Sequence, residues 1–260
     1  MLDAIALKGL KLLPKNLVSR AMGAFSEIRW PGPLQILVNR VAARILDVDD
    51  EEARRDIDAY PSLNALFTRR LRDGVRPIES EGPDQLVSPV DGQLAQCGDI
   101  DDGMLVQAKG REYSLAELVD DDGVAERFLG GTYATLYLSP SDYHRIHTPI
   151  DGRVRSVHHV PGHLFPVNPF AVERVDDLFA INERLMSVME TASGPVGIVK
   201  VGATCVCRIG LTPEGLPPVQ TNQPRQSRRH WDLEDAVELS AGDELGVFNL
   251  GSTVILLLGQ

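Results

Sequence analysis

The chain has 260 residues, of which 43% are hydrophobic and 24% charged, and it carries a formal net charge of −11. Such a chain is long enough to bury a full core, and its acidity argues against a general nucleic-acid binder. The charge is uneven: residues 1–45 hold seven Lys/Arg against two acids, a net +5, which leaves −16 on the remainder and points the N-terminal part towards something anionic.

The N-terminal quarter reads as helical. Leu2, Ile5, Ala6, Leu10 and Leu13 recur at helical spacing beside Lys8, Lys11 and Lys15, and Pro14 ends or bends that helix. Leu17, Val18, Ala21, Met22 and Phe25 continue the pattern, and "WPGP" at 30–33 breaks it. "LQILVNRVAARILDV" predicts another amphipathic helix. "DDEEARRDI" predicts a charged turn followed by a helix, and Ser62 an N-cap for "LNALFTRRLRDG". Serial basic-apolar segments favour a region lying on anionic lipid over helices packed on their own domain. No signal peptide is apparent, and no run reaches the roughly 18 apolar residues that span a bilayer.

Beyond residue 80 the texture turns β-rich. "QLAQCGDI", "MLVQAK", "GTYATLYLS", "GRVRSVHHV", "VGIVKVGATCVCRIG" and "ELGVFNLGSTVILLL" predict strands, with a helical insertion over 114–129. The expected architecture is α+β: a β-rich barrel or sandwich core over 76–260, preceded by an amphipathic helical region over 1–75. "PVDGQL" and "PIDGRV", 60 residues apart, resemble hairpin elements of biotinyl and lipoyl carrier domains but lack an attachment lysine motif. Three cysteines without a pairing framework fit a reducing compartment. Cys205 and Cys207 read as small hydrophobes on one strand face, and no metal site is expected because no further ligands follow at ligand spacing.

Chemistry concentrates in two places. "SPSDYHRIHTPIDG" holds His144 and His147 three apart, on one face if the turn is helical. Histidine exchanges protons near neutrality, and an acid such as Asp91 can fix its tautomer. Ser252, in "NLGSTVILLLGQ", is a candidate nucleophile without a G-x-S-x-G elbow. Two fates are open to it: ordinary hydrolase chemistry, or attack on the carbonyl of Gly251 with rearrangement to an ester. A non-enzymatic membrane-binding β module is a third reading.

"LGST" at 250–253, "SPVDG" at 88–92, "YLSPSDYHRIHTP" at 137–149, "VPGHLFPVN" at 160–168, "NERL" at 182–185, "VGAT" at 201–204 and "LNALFTRRLRDGVRPI" at 63–78 together resemble the phosphatidylserine decarboxylases. The resemblance spans nearly the whole chain. It implies a proenzyme that cuts itself between Gly251 and Ser252, giving a β chain of 1–251 and an α chain opening with a pyruvoyl group made from Ser252. It implies Asp91, His147 and Ser252 as the processing triad and His144 as the residue of the decarboxylation step. It implies phosphatidylserine in an anionic membrane as substrate, a peripheral location on the cytoplasmic face, and a homodimer. Leu164, Phe165 and Asn168 are candidates for substrate contact. Two departures stand out: Pro166 replaces the usual Ser, and the α chain ends eight residues after Ser252, so strand pairing must retain it.

Overall fold

The computed structural model describes residues 13–79, 82, 85–250 and 252–260, with backbone only at Ser252. The helix expected over 2–13 lies, but for Leu13, outside the described residues, as does Gly251.

Helix α1 spans Lys15–Ser26 and α2 spans Gly32–Leu46, with Pro31 as the N-cap residue of α2 and Pro33 in its first turn. Their apolar stripes face outward. Leu17 is 58% exposed, Leu37 57% and Ile45 76%, whereas the buried positions are Lys15, Ser19, Gly23 and Ser26 on α1 and Gln35 and Asn39 on α2. The inward polar groups are satisfied: Asn39 donates to the carbonyls of Ile57 and Tyr60, and the Ser19 hydroxyl accepts from the Cys205 amide. Gly23 lets α1 approach closely, since a Cβ there would lie 2.7 Å from Cys207 Cβ.

The helix expected after "DDEEARRDI" is only a 3-10 turn at Ile57–Ala59. Ala53 instead forms a bridge with Leu71, which takes that backbone out of helical pairing. Helix α3, Leu63–Phe67, starts at Ser62, whose hydroxyl accepts from the Ala65 amide.

Among the described residues, twelve strands follow. β1 (Gln93–Asp99), β4 (Thr132–Leu138), β6 (Gly152–Val160), β7 (Arg184–Thr191), β8 (Gly194–Val201), β10 (Arg229–Leu239) and β12 (Ser252–Leu258) form an antiparallel sheet in the order β1-β4-β12-β8-β7-β6-β10. β5 (Arg145–His147), β9 (Arg208–Leu211) and β11 (Glu244–Asn249) form a second sheet in the order β5-β11-β9, and β2 (Met104–Ala108) pairs with β3 (Arg111–Ser114). Short helices α4 (Leu115–Val119), α5 (Asp122–Glu126), α6 (Pro169–Val172) and α7 (Leu178–Ile181) help to close the core around Tyr113, Phe128 and Phe179.

Two sequence expectations change here. The two Asp-Gly pairs do not join hydrogen-bonded neighbours: Gly92 leads into β1 and Gly152 opens β6, whose partners lie elsewhere. Gly92 has φ +137, and a Cβ there would lie 2.2 Å from the Tyr137 carbonyl oxygen. Cys205 and Cys207 sit in the loop between β8 and β9, with Cys205 left-handed at φ 70, so they do not share a strand face.

Position in the sheet matters most for β12. It runs through the interior of the sheet, paired on one side with β4 from Ser252↔Leu138 to Leu258↔Thr132, and on the other with β8 from Thr253↔Val201 to Leu258↔Val196. Val254, Ile255, Leu256 and Leu257 are all buried. A segment held by two ladders and four apolar side chains does not need a covalent link to β11 to stay in place.

Candidate active site

The two histidines hang on the segment that joins the strand partner of Ser252 to the strand that leads into it. β4 ends at Leu138, opposite Ser252. A turn then folds back, with the Asp142 carboxylate accepting from the Ser139 amide at 2.7 Å. Burial raises the Asp142 pKa above the usual carboxylate value. β5 follows and pairs with β11, and the Phe248 amide donates to the His144 carbonyl at 3.0 Å. No helical turn spans 144–147. The pairing of β5 with β11 pulls this backbone extended, so the one-face arrangement expected from i, i+3 spacing is lost.

The environments of the two rings differ. His144 is fully buried, its ring centroid 4.0 Å from that of Phe67. Nδ1 lies 2.8 Å from the Asp142 carbonyl. A carbonyl only accepts, so Nδ1 carries the proton and Nε2 presents a lone pair. That Nε2 is buried and has no hydrogen-bond partner. Burial lowers the His144 pKa to about 4, which keeps the ring neutral at physiological pH. His147 is half-buried. Its Nδ1 donates to the Gly242 carbonyl at 2.6 Å, and its Nε2 lies 3.1 Å from the Tyr143 hydroxyl. With Nδ1 protonated, Nε2 accepts from Tyr143. Burial drives the Tyr143 pKa up to about 12, so that hydroxyl remains a donor.

Asp91 lies near but is engaged elsewhere. The Arg76 guanidinium holds its carboxylate through Nε at 3.0 Å and Nη2 at 2.8 Å, and reaches Glu52 as well. Among the described residues no hydrogen bond joins Asp91 to the His147 ring; the local link is backbone, from the His147 amide to the Pro89 carbonyl at 2.8 Å. The cross-strand row Gln93–Tyr137–Thr253 puts the strand entry after Asp91 two ladders, or about 10 Å, from the start of β12.

Leu250, immediately before Gly251–Ser252, has φ +73. A leucine in the left-handed region is uncommon and costs on the order of 1–3 kcal/mol. Strain thus sits at the junction between β11 and β12.

The candidates in "VPGHLFPVN" lie in a loop that is held in place by internal hydrogen bonds. Leu164 and Phe165 are buried, and the Asn182 side chain clamps the segment through the Phe165 amide, the Phe165 carbonyl and the Gly202 carbonyl. Asn168 caps α6 by accepting from the Ala171 amide at 3.1 Å. Leu164 and Phe165 are packed inward, and exposed Asn168 caps the helix that follows, so all three hold the loop's shape.

A cavity of about 450 Å³ is lined by Arg54, Arg55, Tyr60, Arg69, Arg70 and Arg145, among others. Arg70 and Arg145 both pair with Glu244. Arg69 is only 3% exposed; its Nη2 donates to the Ser141 carbonyl, while Nε and Nη1 are buried without partners. A buried guanidinium with two unsatisfied nitrogens is costly unless an anion arrives. This cluster escaped sequence reading. The run "TRRLR" was visible, but the fold adds Arg145 from 75 residues away.

A neutral buried imidazole with a free lone pair, a second imidazole of fixed tautomer, a strained peptide and an arginine-lined cavity together suit proton transfer on a phosphate-bearing substrate. Comparison with known proteins agrees. The family model described as phosphatidylserine decarboxylase matches residues 63–260. The chain is 46% identical over 257 residues to a phosphatidylserine decarboxylase proenzyme of Anaeromyxobacter sp. (strain K), covering 99% of this chain and 90% of that protein. It is 41% identical over 257 residues to the protein of that name from Myxococcus xanthus (strain DK1622), at the same coverage. It is 44% identical over 265 residues to the one from Azotobacter vinelandii (strain DJ / ATCC BAA-1303), covering 100% of this chain and 91% of that protein.

Proposed function

The chain belongs to the phosphatidylserine decarboxylase family, and on that premise we propose that it breaks its own Gly251–Ser252 bond and turns Ser252 into a covalent pyruvoyl cofactor. The enzyme removes the serine carboxylate of phosphatidylserine as CO2 and releases phosphatidylethanolamine. The observation that carries the processing step is the left-handed Leu250 at the junction, directly after the strand that pairs with the histidine-bearing β5.

In processing, the Ser252 hydroxyl attacks the Gly251 carbonyl and its proton passes to Nε2 of His147. The Gly242 carbonyl holds Nδ1–H and so keeps Nε2 the basic atom. The peptide becomes an ester. Loss of the Ser252 α-proton then releases residues 1–251 as a carboxylate, and water replaces the nitrogen, which leaves as ammonia. Asp91 completes the triad by charge: it favours the imidazolium through its field, while orientation comes from Gly242. The double ladder on β12 supports retention of the nine-residue α chain.

The pyruvoyl ketone supplies the electron sink for decarboxylation, and the residues around the junction fit that use. Nε2 of His144 takes a proton from the substrate's ammonium and returns it to the α-carbon once CO2 has left. The Asp142 carbonyl fixes the ring for both transfers. Arg69 receives the phosphodiester in the arginine-lined cavity that it helps to line. Leu164, Phe165 and Asn168 act by keeping their loop in place.

The division of labour largely follows the chain: the helices of 1–75 serve the membrane and 76–260 holds the reacting residues, with Arg69 reaching from the first part to the substrate. No helix of the described residues is long and apolar enough to cross a membrane. The outward apolar faces of α1 and α2 seat the enzyme peripherally on an anionic bilayer, at the cytoplasmic face, where three free cysteines are at home. A homodimer belongs to the same reading; β1, a sheet edge with Leu94 59% exposed, is the surface that invites it.

Intact-mass analysis tests the proposal. Two fragments split at 251/252, with the α chain lighter than its serine form by the conversion to pyruvoyl, are expected. An uncut chain, or an acylated Ser252 as in a hydrolase, overturns it.

A further inference from the structure

Far from the processing junction, Asp121, His158 and His230 converge. One ligating atom from each lies within 4.8 Å of the others. His158 on β6 and His230 on β10 are direct cross-strand partners, and Asp121 is the N-cap residue of α5. We propose that these three side chains form a binding site for a zinc-class divalent transition-metal ion.

The arrangement around each ligand supports this. Asp121 divides its oxygens: Oδ1 accepts from the Val124 amide at 3.1 Å, and Oδ2 faces His230. His230 uses Nε2 against Asp232 Oδ1 at 2.8 Å, and His158 uses Nε2 against the Ser156 hydroxyl at 3.0 Å. Both rings therefore have one nitrogen held by an outer partner, and Nδ1 is the nitrogen left for an ion. Histidine ligands are ordinarily supported this way through their other nitrogen.

Spacing also fits an ion better than a hydrogen bond. His230 Nδ1 and Asp121 Oδ2 are 3.5 Å apart, beyond a good hydrogen bond. Metal–ligand bonds of about 2.1 Å at a tetrahedral angle put neighbouring ligand atoms about 3.4 Å apart. The imidazole centroids are 3.9 Å apart at 45°, so the rings must open slightly to receive the ion, and exposed His230 has room to do so. Two imidazoles and one carboxylate suit zinc, cobalt, nickel or copper and disfavour calcium or magnesium. The nearby Arg228 is paired with Asp120 at 2.8 Å.

The row His230–His158–Met186–Val199–Ile255 places His158 three strand spacings, or about 14 Å, and His230 four, or about 19 Å, across the sheet from β12. The ion is thus a clamp that ties the α4–α5 corner to the β10 edge of the sheet, and it takes no part in decarboxylation. Sequence spacing concealed it, because the ligands lie 37 and 72 residues apart.

The test uses the full, tag-free chain stripped with a chelator. Zinc is titrated calorimetrically and cobalt(II) by visible absorption. One ion per chain and a tetrahedral-type cobalt spectrum are expected. His230→Gln, at an exposed position that leaves the core intact, should weaken binding at least about 100-fold. Asp232→Asn should weaken it about 10–100-fold through the outer shell. Asp121→Asn keeps the helix cap but loses the charge, and should also weaken binding. Absence of stoichiometric binding overturns the proposal, as does binding that His230→Gln leaves unchanged; the cluster is then a purely structural one, with His230 between Asp121 and Asp232.

Discussion

The Tyr143 hydroxyl lies 3.1 Å from Nε2 of His147, the nitrogen that takes the Ser252 proton in the proposed processing step. Because Nδ1 is committed to the Gly242 carbonyl, the base has no second lone pair to offer. Tyr143 therefore competes with Ser252. Tyr143→Phe removes the competitor and keeps the ring stack, whose centroids are 5.6 Å apart. One hydrogen bond of about 0.5–1.5 kcal/mol corresponds to self-cleavage roughly 2–10-fold faster. A pulse-chase on gels reads the rate, and slower cleavage would show that Tyr143 assists the base.

Asp91 is predicted to matter less than its place in a triad suggests. Its carboxylate is bound by Arg76, and the tautomer of His147 is set by a backbone carbonyl that no side-chain substitution removes. Asp91→Asn should slow cleavage on the order of tenfold by weakening the field at the imidazolium. His147→Ala should stop it. If the two variants are equally dead, Asp91 contacts the ring directly during the reaction.

The separation of the histidines gives a pH signature. His144 is neutral above about 4, and protonation below that value removes the Nε2 lone pair. The acid limb of kcat/KM on mature enzyme should therefore fall near pH 4 and show no break assigned to His144 near 6.5. His144→Ala should still self-cleave, yet lose about 10²–10⁴-fold in turnover. Mass spectrometry and CO2 release separate the two effects, and a variant that does not cleave refutes the division of roles.

Much of this was legible in the chain and some was not, for physical reasons. The runs at 93–100 and 152–160 became β1 and β6 because alternation and turn residues bracket them. β7 was missed because "RLMSVMET" is buried on both faces over its first six residues and does not alternate. β10 was missed because "RHWDLEDAVEL" is an exposed, acidic edge strand. Periodicity found the stripes of α1 and α2, but a stripe does not say which side faces the protein. The motif residues were legible, whereas the Gly242 carbonyl that holds His147 Nδ1 depends on a turn 95 residues away.

The inverted helices carry a prediction of their own. Leu37→Asp and Ile45→Asp replace exposed apolar side chains whose burial in lipid contributes about 1.5–3 kcal/mol each. Binding to phosphatidylserine-containing vesicles, measured by co-sedimentation, should fall tenfold or more per substitution. Activity on a soluble short-chain substrate should be unchanged. Retained vesicle binding would mean that this face serves another surface.

Lys200 offers a stability test independent of the chemistry. It is fully buried on β8, with Nζ 2.9 Å from the Ser187 hydroxyl and 3.2 Å from the Ile198 carbonyl, and no acid among the described residues pairs with it. Burial lowers its pKa from 10.5 to about 7. The unfolded chain thus holds the proton up to about 10.5 and the folded chain only to about 7, so within that window the unfolded state binds more protons and folding gains stability as pH rises. Below pH 7 the burial cost is at its largest. Lys200→Met keeps the volume and removes the charge, and should stabilise the protein by roughly 1–4 kcal/mol at pH 7, with the gain shrinking towards pH 10. Urea denaturation of both proteins at pH 7 and 9.5 gives the comparison. A gain that does not change with pH, or a loss at pH 7, would show that the ammonium is compensated in the folded state.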